Sequence, residues 1–175
     1  MTITIRPEEP RDIAVIRHVN EQAFARDGHL GTEEADLIDA LRGNDHVVVS
    51  LVAEVNGQVV GHILFSPMTV ESANGGIHQL IALGPLAVLP EYQKQGVGSA
   101  LMNTGLDEIR ELGHGAVFLV GHASYYPRFG FRPARERGII YQDGRDSVQV
   151  IELRPGELDG VTGTARFSPE FEAFE

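Results

Sequence analysis

Leu86-Ala87-Val88-Leu89-Pro90-Glu91-Tyr92-Gln93-Lys94-Gln95-Gly96-Val97-Gly98-Ser99-Ala100-Leu101-Met102 is the stretch around which the chain is organised. The apolar run ending at Leu89 reads as a buried strand, and Pro90 closes it. Apolar residues at Val97, Leu101, Ile109 and Leu112 then fall near one helical face. The order is strand, polar turn, helix. Gly96 and Gly98 bare the backbone where a helix carries unpaired N–H groups, so an anion such as a diphosphate can approach to hydrogen-bond distance.

On the C-terminal side, Gly113 stops the helix and residues 116–120 form an apolar strand. Strand, helix, strand is the order of a parallel crossover, which places this strand beside the one ending at Leu89. Residues 139–141, 148–153 and 161–167 read as further strands, with a turn at Pro155-Gly156 and an acidic tail over 169–175. On the N-terminal side, Gly84-Pro85 interrupts the central strand. Proline donates no ladder hydrogen bond, so a bulge or kink is expected there. Asn56-Gly57, a strong hairpin signal, joins strand-like residues 47–55 and 59–68, and Ala73-Asn74-Gly75-Gly76 makes a second turn.

Residues 2–6 alternate as a short strand that Pro7 ends, and two helices follow. The first opens at Glu9-Pro10, with Asp12 in its first turn and Ile13, Ile16, Val19 and Phe24 at helical spacing. The second takes Thr32 as N-cap and Glu33 and Glu34 as first-turn acids. Leu37, Ile38 and Leu41 form its apolar face, and Arg42-Gly43 ends it.

A chain of 175 residues with 42% hydrophobic content suits one domain over 1–175. The net charge of −11 opposes a nucleic-acid groove or an anionic membrane surface and favours cationic partners, an amine among them. Lys94 is the only lysine, and it falls inside the glycine turn. Cysteine is absent, which removes disulfides, thiol nucleophiles and zinc–thiolate sites. The start has no secretory pattern and no run reaches membrane-span length, so a soluble cytoplasmic protein is expected.

Far from the glycine turn lies Tyr125-Tyr126-Pro127-Arg128-Phe129-Gly130-Phe131. This segment resembles the Tyr-x-x-x-Gly-Phe ending of the GCN5-related N-acetyltransferase (GNAT) family. Gln93-x-x-Gly96-x-Gly98, preceded by Leu-Ala-Val and Pro-Glu-Tyr, is similar to that family's acetyl-CoA signature. Either motif alone is weak, because glycine-rich turns serve many phosphates; the pair is specific. The resemblance covers a core of about residues 3–155 and leaves 156–175 as a C-terminal extension with an extra strand. It implies an α/β fold: a mixed, mostly antiparallel twisted sheet with a parallel splayed strand pair at the centre and helices on both faces. The activity implied is transfer of acetyl from acetyl-CoA to a primary amine by direct attack, with no metal.

Such a transfer has to hold a long anionic thioester, polarise its carbonyl and protonate the departing thiolate. A kink at Gly84-Pro85 opens a wedge in which the backbone of Leu86, Ala87 and Val88 can pair with the donor's amide arm, and one N–H near Val88 can stabilise an oxyanion. The backbone of Gln93, Lys94, Gln95, Gly96, Val97, Gly98 and Ser99 is assigned to the diphosphate, with side-chain contacts from Gln93 and Lys94. By resemblance Tyr126 is the general acid, since a phenol with a reference pKa of about 10 keeps its proton at neutral pH. Tyr125 is the other candidate, and Phe129 and Phe131 read as core.

The base is not fixed by the resemblance. Many similar proteins have an acid and then a proline at 122 and 123, whereas here the pair is His122-Ala123. His122 is a candidate base or substrate contact, set against a histidine bonded at a strand end. Glu33 and Glu34 are acceptor-side candidates, set against helix-terminal charge; His78 is read at a strand edge. His18, His29, His46, His62 and His114 show no pairing with acids at ligand spacing, and Arg128 is read as a surface arginine. A non-catalytic acyl-CoA-binding module is the alternative function. A dinucleotide-binding oxidoreductase is set aside because Leu101 stands where a third glycine is needed. The acceptor's identity and the choice between monomer and homodimer stay open.

Overall fold

Asn56 and Gly57 both take left-handed backbone angles, φ 52° and 76°. That geometry matches the twist of the flanking strands, and it pairs β2 (Val49–Val55) with β3 (Gln58–Glu71) as the expected hairpin. β1 (Thr4–Pro7) lies antiparallel to β2. The turn at 72–76 returns the chain from β3 into β4 (Ile77–Val88), again antiparallel. The computed structural model describes residues 1–26, 28–121, 124–142 and 147–174.

After β1, a 3-10 turn (Pro10–Asp12) leads into α1 (Ile13–Phe24), and α2 (Thr32–Gly43) follows. Thr32 is the first helical residue of α2 and not its cap. Gly31 holds the cap position at φ 73°, because a Cβ there would stand 2.2 Å from the Glu21 carbonyl oxygen of α1. Only glycine lets the loop pass that close. Arg6 reaches from β1 to Asp12 (2.7 Å) and Glu54 (2.7 Å), which ties the first strand to the helix entry. The guanidinium bond holds the Asp12 carboxyl down at about 2.

Beyond β4, a 3-10 turn (Pro90–Tyr92) leads through residues 93–96 into α3 (Val97–Glu111). Its buried stripe runs Val97, Leu101, Met102, Gly105, Leu106 and Ile109. Leu112 does not continue it. It is the C-cap, just before Gly113 at φ 96°, and its side chain is 58% exposed. Gly105 is where the helix comes closest to the sheet, since a Cβ there would meet the Phe65 ring at 2.6 Å.

β5 (Ala116–Val120) pairs parallel with β4, as the crossover order requires. A 3-10 turn (Tyr126–Phe129), β6 (Arg132–Pro133), a further 3-10 turn (Ala134–Arg137) and β7 (Ile139–Tyr141) follow. β8 (Val148–Glu152) lies antiparallel to β5 and carries β6 on its far side. The chain ends with β9 (Gly163–Phe167) and a 3-10 segment (Pro169–Phe174). The sheet order is β1-β2-β3-β4-β5-β8-β6. β9 takes the edge of β3 past the end of β2, pairing Met68 with Phe167 and Glu71 with Thr164, and β7 lies parallel against β9.

The two faces of β3 separate the helices. Gly61, Ile63 and Phe65 face α3, whereas His62 on the opposite face meets Asn20 of α1. Helices therefore cover both faces of a mixed, mostly antiparallel sheet. The larger apolar core joins α1, α2 and α3 to β2 through β5, and a second core under β9 gathers Met68, Phe118, Tyr141, Val150 and Phe167.

Candidate active site

Gly84-Pro85 breaks the pairing of β4 on both sides. Toward β3 the register shifts by one residue between Ile63 and Phe65, which is the expected bulge, and the Gly84-Pro85 peptide is cis. Toward β5 the parallel pairing covers Ile81 with Val117 and Ala82 with Phe118 and goes no further. A parallel pair that stops halfway is a wedge. Leu89 donates its N–H to the Val60 carbonyl, so by antiparallel alternation Ala87 bonds to β3 while Leu86 and Val88 turn their peptide groups the other way, into the wedge. The Val88 carbonyl accepts from the Gln93 side chain (2.9 Å).

At the wedge mouth α3 begins without a side-chain cap and without an acid in its first turn. The first helical bond is from the Ala100 N–H to the Gly96 carbonyl, so the N–H groups of Val97, Gly98 and Ser99 precede the ladder. α2 differs: Glu33 and Glu34 fill its first turn. Lys94 (φ 61°) and Gly96 (φ 92°) both adopt left-handed angles, and this turns the backbone of residues 93–96 toward the helix end. Gln93 and Gln95 spend their amides on backbone carbonyls, those of Val88 and Glu91. Their side chains therefore shape the turn, and its backbone is what an incoming anion meets.

Tyr125 stands at this helix start, and Tyr126 lies in the cleft beside the break in β4. Tyr126 lines one cleft together with Leu83, Gly84, Pro85, Leu86 and Val120. Its ring lies edge-on to Phe131 (5.9 Å) and fits against Gly121, where a Cβ would come within 2.8 Å of Cε2. Burial, with a smaller contribution from Tyr125, pushes its phenol up to about 12. Tyr125 is set edge-on to Tyr126 (5.2 Å) and places its hydroxyl 2.7 Å from where a Cβ of Gly98 would be. Arg128 lies over the Tyr125 ring, 4.5 Å from its centroid, and donates to the Tyr125 carbonyl (2.9 Å).

The far end of the cleft, about 310 Å³ in volume, is built by residues distant in sequence: Phe24 of α1, Glu34 and Leu37 of α2, Tyr141 of β7, Phe167 of β9, and Phe171. The two acceptor-side candidates separate here. Glu34 lines the cleft, while the Glu33 side chain is 55% exposed and does not. His122 lies outside the described residues.

Three histidines stand near acids or buried polar groups. His29 Nε2 stands 4.0 Å from Glu33 and 3.9 Å from Glu34, and His46 Nδ1 is 2.7 Å from Glu170, 124 positions away. Burial, helped by Arg42, pulls His62 down to about 3, so it is a neutral core imidazole between Ser50 (2.8 Å) and Asn20 (3.3 Å). His78 bonds Ser72 (3.2 Å) in the β3–β4 hairpin. Among the described residues no group of three or more His, Asp or Glu could hold a metal ion, and no helix is long and apolar enough to cross a membrane.

Comparison with known proteins gives the geometry a context. Residues 14–131 match the family model described as acetyltransferase (GNAT) family. The Escherichia coli N-acetyltransferase YhbS is 35% identical over 173 residues, 97% of this chain and 99% of that protein. Its crystal structure in complex with CoA superposes with a TM-score of 0.88 at 33% identity, covering 99% of this chain and 93% of that one. A GNAT family acetyltransferase from Brucella melitensis in complex with acetyl-CoA gives a TM-score of 0.80 at 35% identity, covering 97% and 98%.

Proposed function

The chain belongs to the acetyltransferase (GNAT) family, and from that premise we propose how its residues move acetyl from acetyl-CoA to a primary amine. It is an acyl-CoA-dependent N-acetyltransferase, and two structural relatives that match nearly the whole chain were solved with CoA and acetyl-CoA. What carries the residue assignment is a juxtaposition. Tyr126 lines one cleft with Leu86 on the unpaired edge of β4, Val88 continues that edge toward the uncapped start of α3, and the Tyr125 hydroxyl stands against Gly98 in the first turn of that helix.

The N–H groups from Gln93 to Ser99 take the diphosphate, where the helix dipole and unpaired donors favour negative charge. Leu86, Ala87 and Val88 run as a strand edge along the donor's amide-containing arm. The Val88 N–H, its carbonyl partner-bonded to Gln93, points at the thioester oxygen and stabilises the oxyanion that forms there.

The acceptor ammonium releases one proton to the medium. Its nitrogen attacks the carbonyl carbon, the C–S bond breaks, and Tyr126 gives its proton to sulfur while taking the second proton from nitrogen. The products are the N-acetyl amide and CoA thiol. The raised Tyr126 pKa favours this coupling. Direct transfer from a phenol near 12 to a thiolate of ordinary pKa, about 8.5, is uphill by roughly 5 kcal/mol. The proton taken from the acidic, newly bonded nitrogen makes up that difference.

A thiol-release assay over an amine panel, with acetyl-CoA and succinyl-CoA as donors, tests the reading. Release with at least one amine, abolished in the Tyr126→Phe variant while CoA affinity holds, supports it. Tight CoA binding with no release for any pair would instead assign the chain to the non-catalytic, CoA-binding class.

A further inference from the structure

Among the described residues lining the cleft, Glu34 is the one charged side chain. Its Oε2 is sealed from solvent and has no hydrogen-bond partner, and the same is true of the Nε2 of His29, 3.9 Å away. His29 does not line the cleft. It is held in the α1–α2 loop by a reciprocal pair of backbone bonds with Arg26 (3.0 and 2.8 Å). The carboxylate thus has one oxygen 3.9 Å from an imidazole, beyond hydrogen-bond reach, while its side chain lines the cleft. A buried carboxylate oxygen without a donor is unfavourable unless something completes it. An ammonium is the complement, and the acidic balance of the whole chain draws cations to it.

The remaining walls are of another kind. Tyr141, Phe167 and Phe171 form an unbroken aromatic series, with centroids 5.7 and 5.5 Å apart, and Phe24 and Leu37 line the same cleft. With a volume of about 310 Å³, the cleft stands at the lower end of the range for small-molecule sites.

We propose that the acceptor is a small monocationic primary amine on an apolar alkyl or aryl body: the ammonium is received by Glu34, with His29 orienting the carboxylate from behind, and the body rests on the Tyr141–Phe167–Phe171 wall. This rests on the acetyl-transfer reading for its chemistry but not for its binding geometry. A carboxylate on the same carbon as the amine would face Glu34, and like charges in a partly desolvated cleft repel. A second ammonium would have to desolvate against aromatic carbon.

The test uses the whole protein with 2-phenylethylamine, hexylamine, L-phenylalanine, spermidine and an alanine-initiated tripeptide. The first two are expected to show kcat/KM at least tenfold above the other three. Glu34→Gln should raise the KM for 2-phenylethylamine tenfold or more while leaving the Kd for CoA unchanged, which also shows that the variant is folded. His29→Gln should raise that KM several-fold with a smaller effect on kcat. Calorimetric titration of 2-phenylethylamine into CoA-saturated protein should give binding that Glu34→Gln abolishes. Binding without turnover would leave this site standing and remove the acetyl-transfer reading. Preference for spermidine, phenylalanine or the peptide, or an unaltered KM in Glu34→Gln, would overturn the acceptor assignment and leave acetyl transfer intact.

Discussion

Tyr126 carries the sharpest single-residue consequences. Removing its hydroxyl in Tyr126→Phe keeps the ring against Gly121 and Phe131, so packing is preserved and only the proton is lost. The expected result is a fall in kcat of about 100-fold or more, the lower bound for a positioned general acid, with CoA affinity changed less than about twofold. Steady-state kinetics and calorimetry read the two numbers. Because burial pushes this phenol up to about 12, its proton is retained through the alkaline assay range. A pH–kcat profile followed up to pH 10 should therefore show no falling limb from Tyr126, whereas a phenol at the reference value would be half ionised at that pH. Gly98 is the second such residue. Gly98→Val places carbon where the Tyr125 hydroxyl and the anion-facing turn meet, and weaker CoA binding by tenfold or more is expected by titration.

At the scale of elements, two joints hold the helices to the sheet. α3 lies on β3 through Gly105, where a Cβ would overlap the Phe65 ring at 2.6 Å. Gly105→Ala should destabilise by about 1–3 kcal/mol, the usual cost of overpacking, despite alanine's better helix propensity. Denaturant unfolding measures it. β1 is joined to the α1 entry by Arg6 and Asp12, whose side chain is nearly buried. The bond from Arg6 lowers the Asp12 pKa in the folded state to about 2, below its unfolded value. The pair therefore stabilises the fold above about pH 4 and loses that contribution as pH falls toward 2. In paired denaturation series, Asp12→Asn should be less stable than wild type at pH 7 by about 2 kcal/mol, and the gap should close near pH 2.

Across the whole molecule, the C-terminal segment is what closes the far end of the cleft. β9 lies on β3, Phe167 and Phe171 line the cleft, and Glu170 docks beneath α2 on Asn44 (2.8 Å) and His46 (2.7 Å). Burial works against the Glu170 charge, but those two bonds and one from its own backbone outweigh it and hold the carboxyl below the usual range. Ending the chain at residue 162 removes this wall and uncovers the second core. A drop in Tm of 10 °C or more is expected by calorimetry, with amine KM raised more than acetyl-CoA KM in whatever folded fraction remains.

Sequence alone determined the parts that depend on neighbours in the chain. Asn56-Gly57 dictates a hairpin because both residues accept left-handed angles, and Gly84-Pro85 dictates a break because proline cannot donate. The run from 86 to 102 reads directly as strand, anion-binding turn and helix. Thr32 and Leu112 were misplaced by one position in their helix because the deciding contacts, Gly31 against Glu21 and the end of the α3 stripe, lie between elements. Tertiary structure alone decided the far end of the cleft. No local pattern separates Glu34 from Glu33, pairs His46 with Glu170, buries His62, or assembles Phe24, Tyr141 and Phe171 around one cavity. Those facts arise when the fold brings together residues 12 to 124 positions apart, and local periodicity carries no information about such contacts.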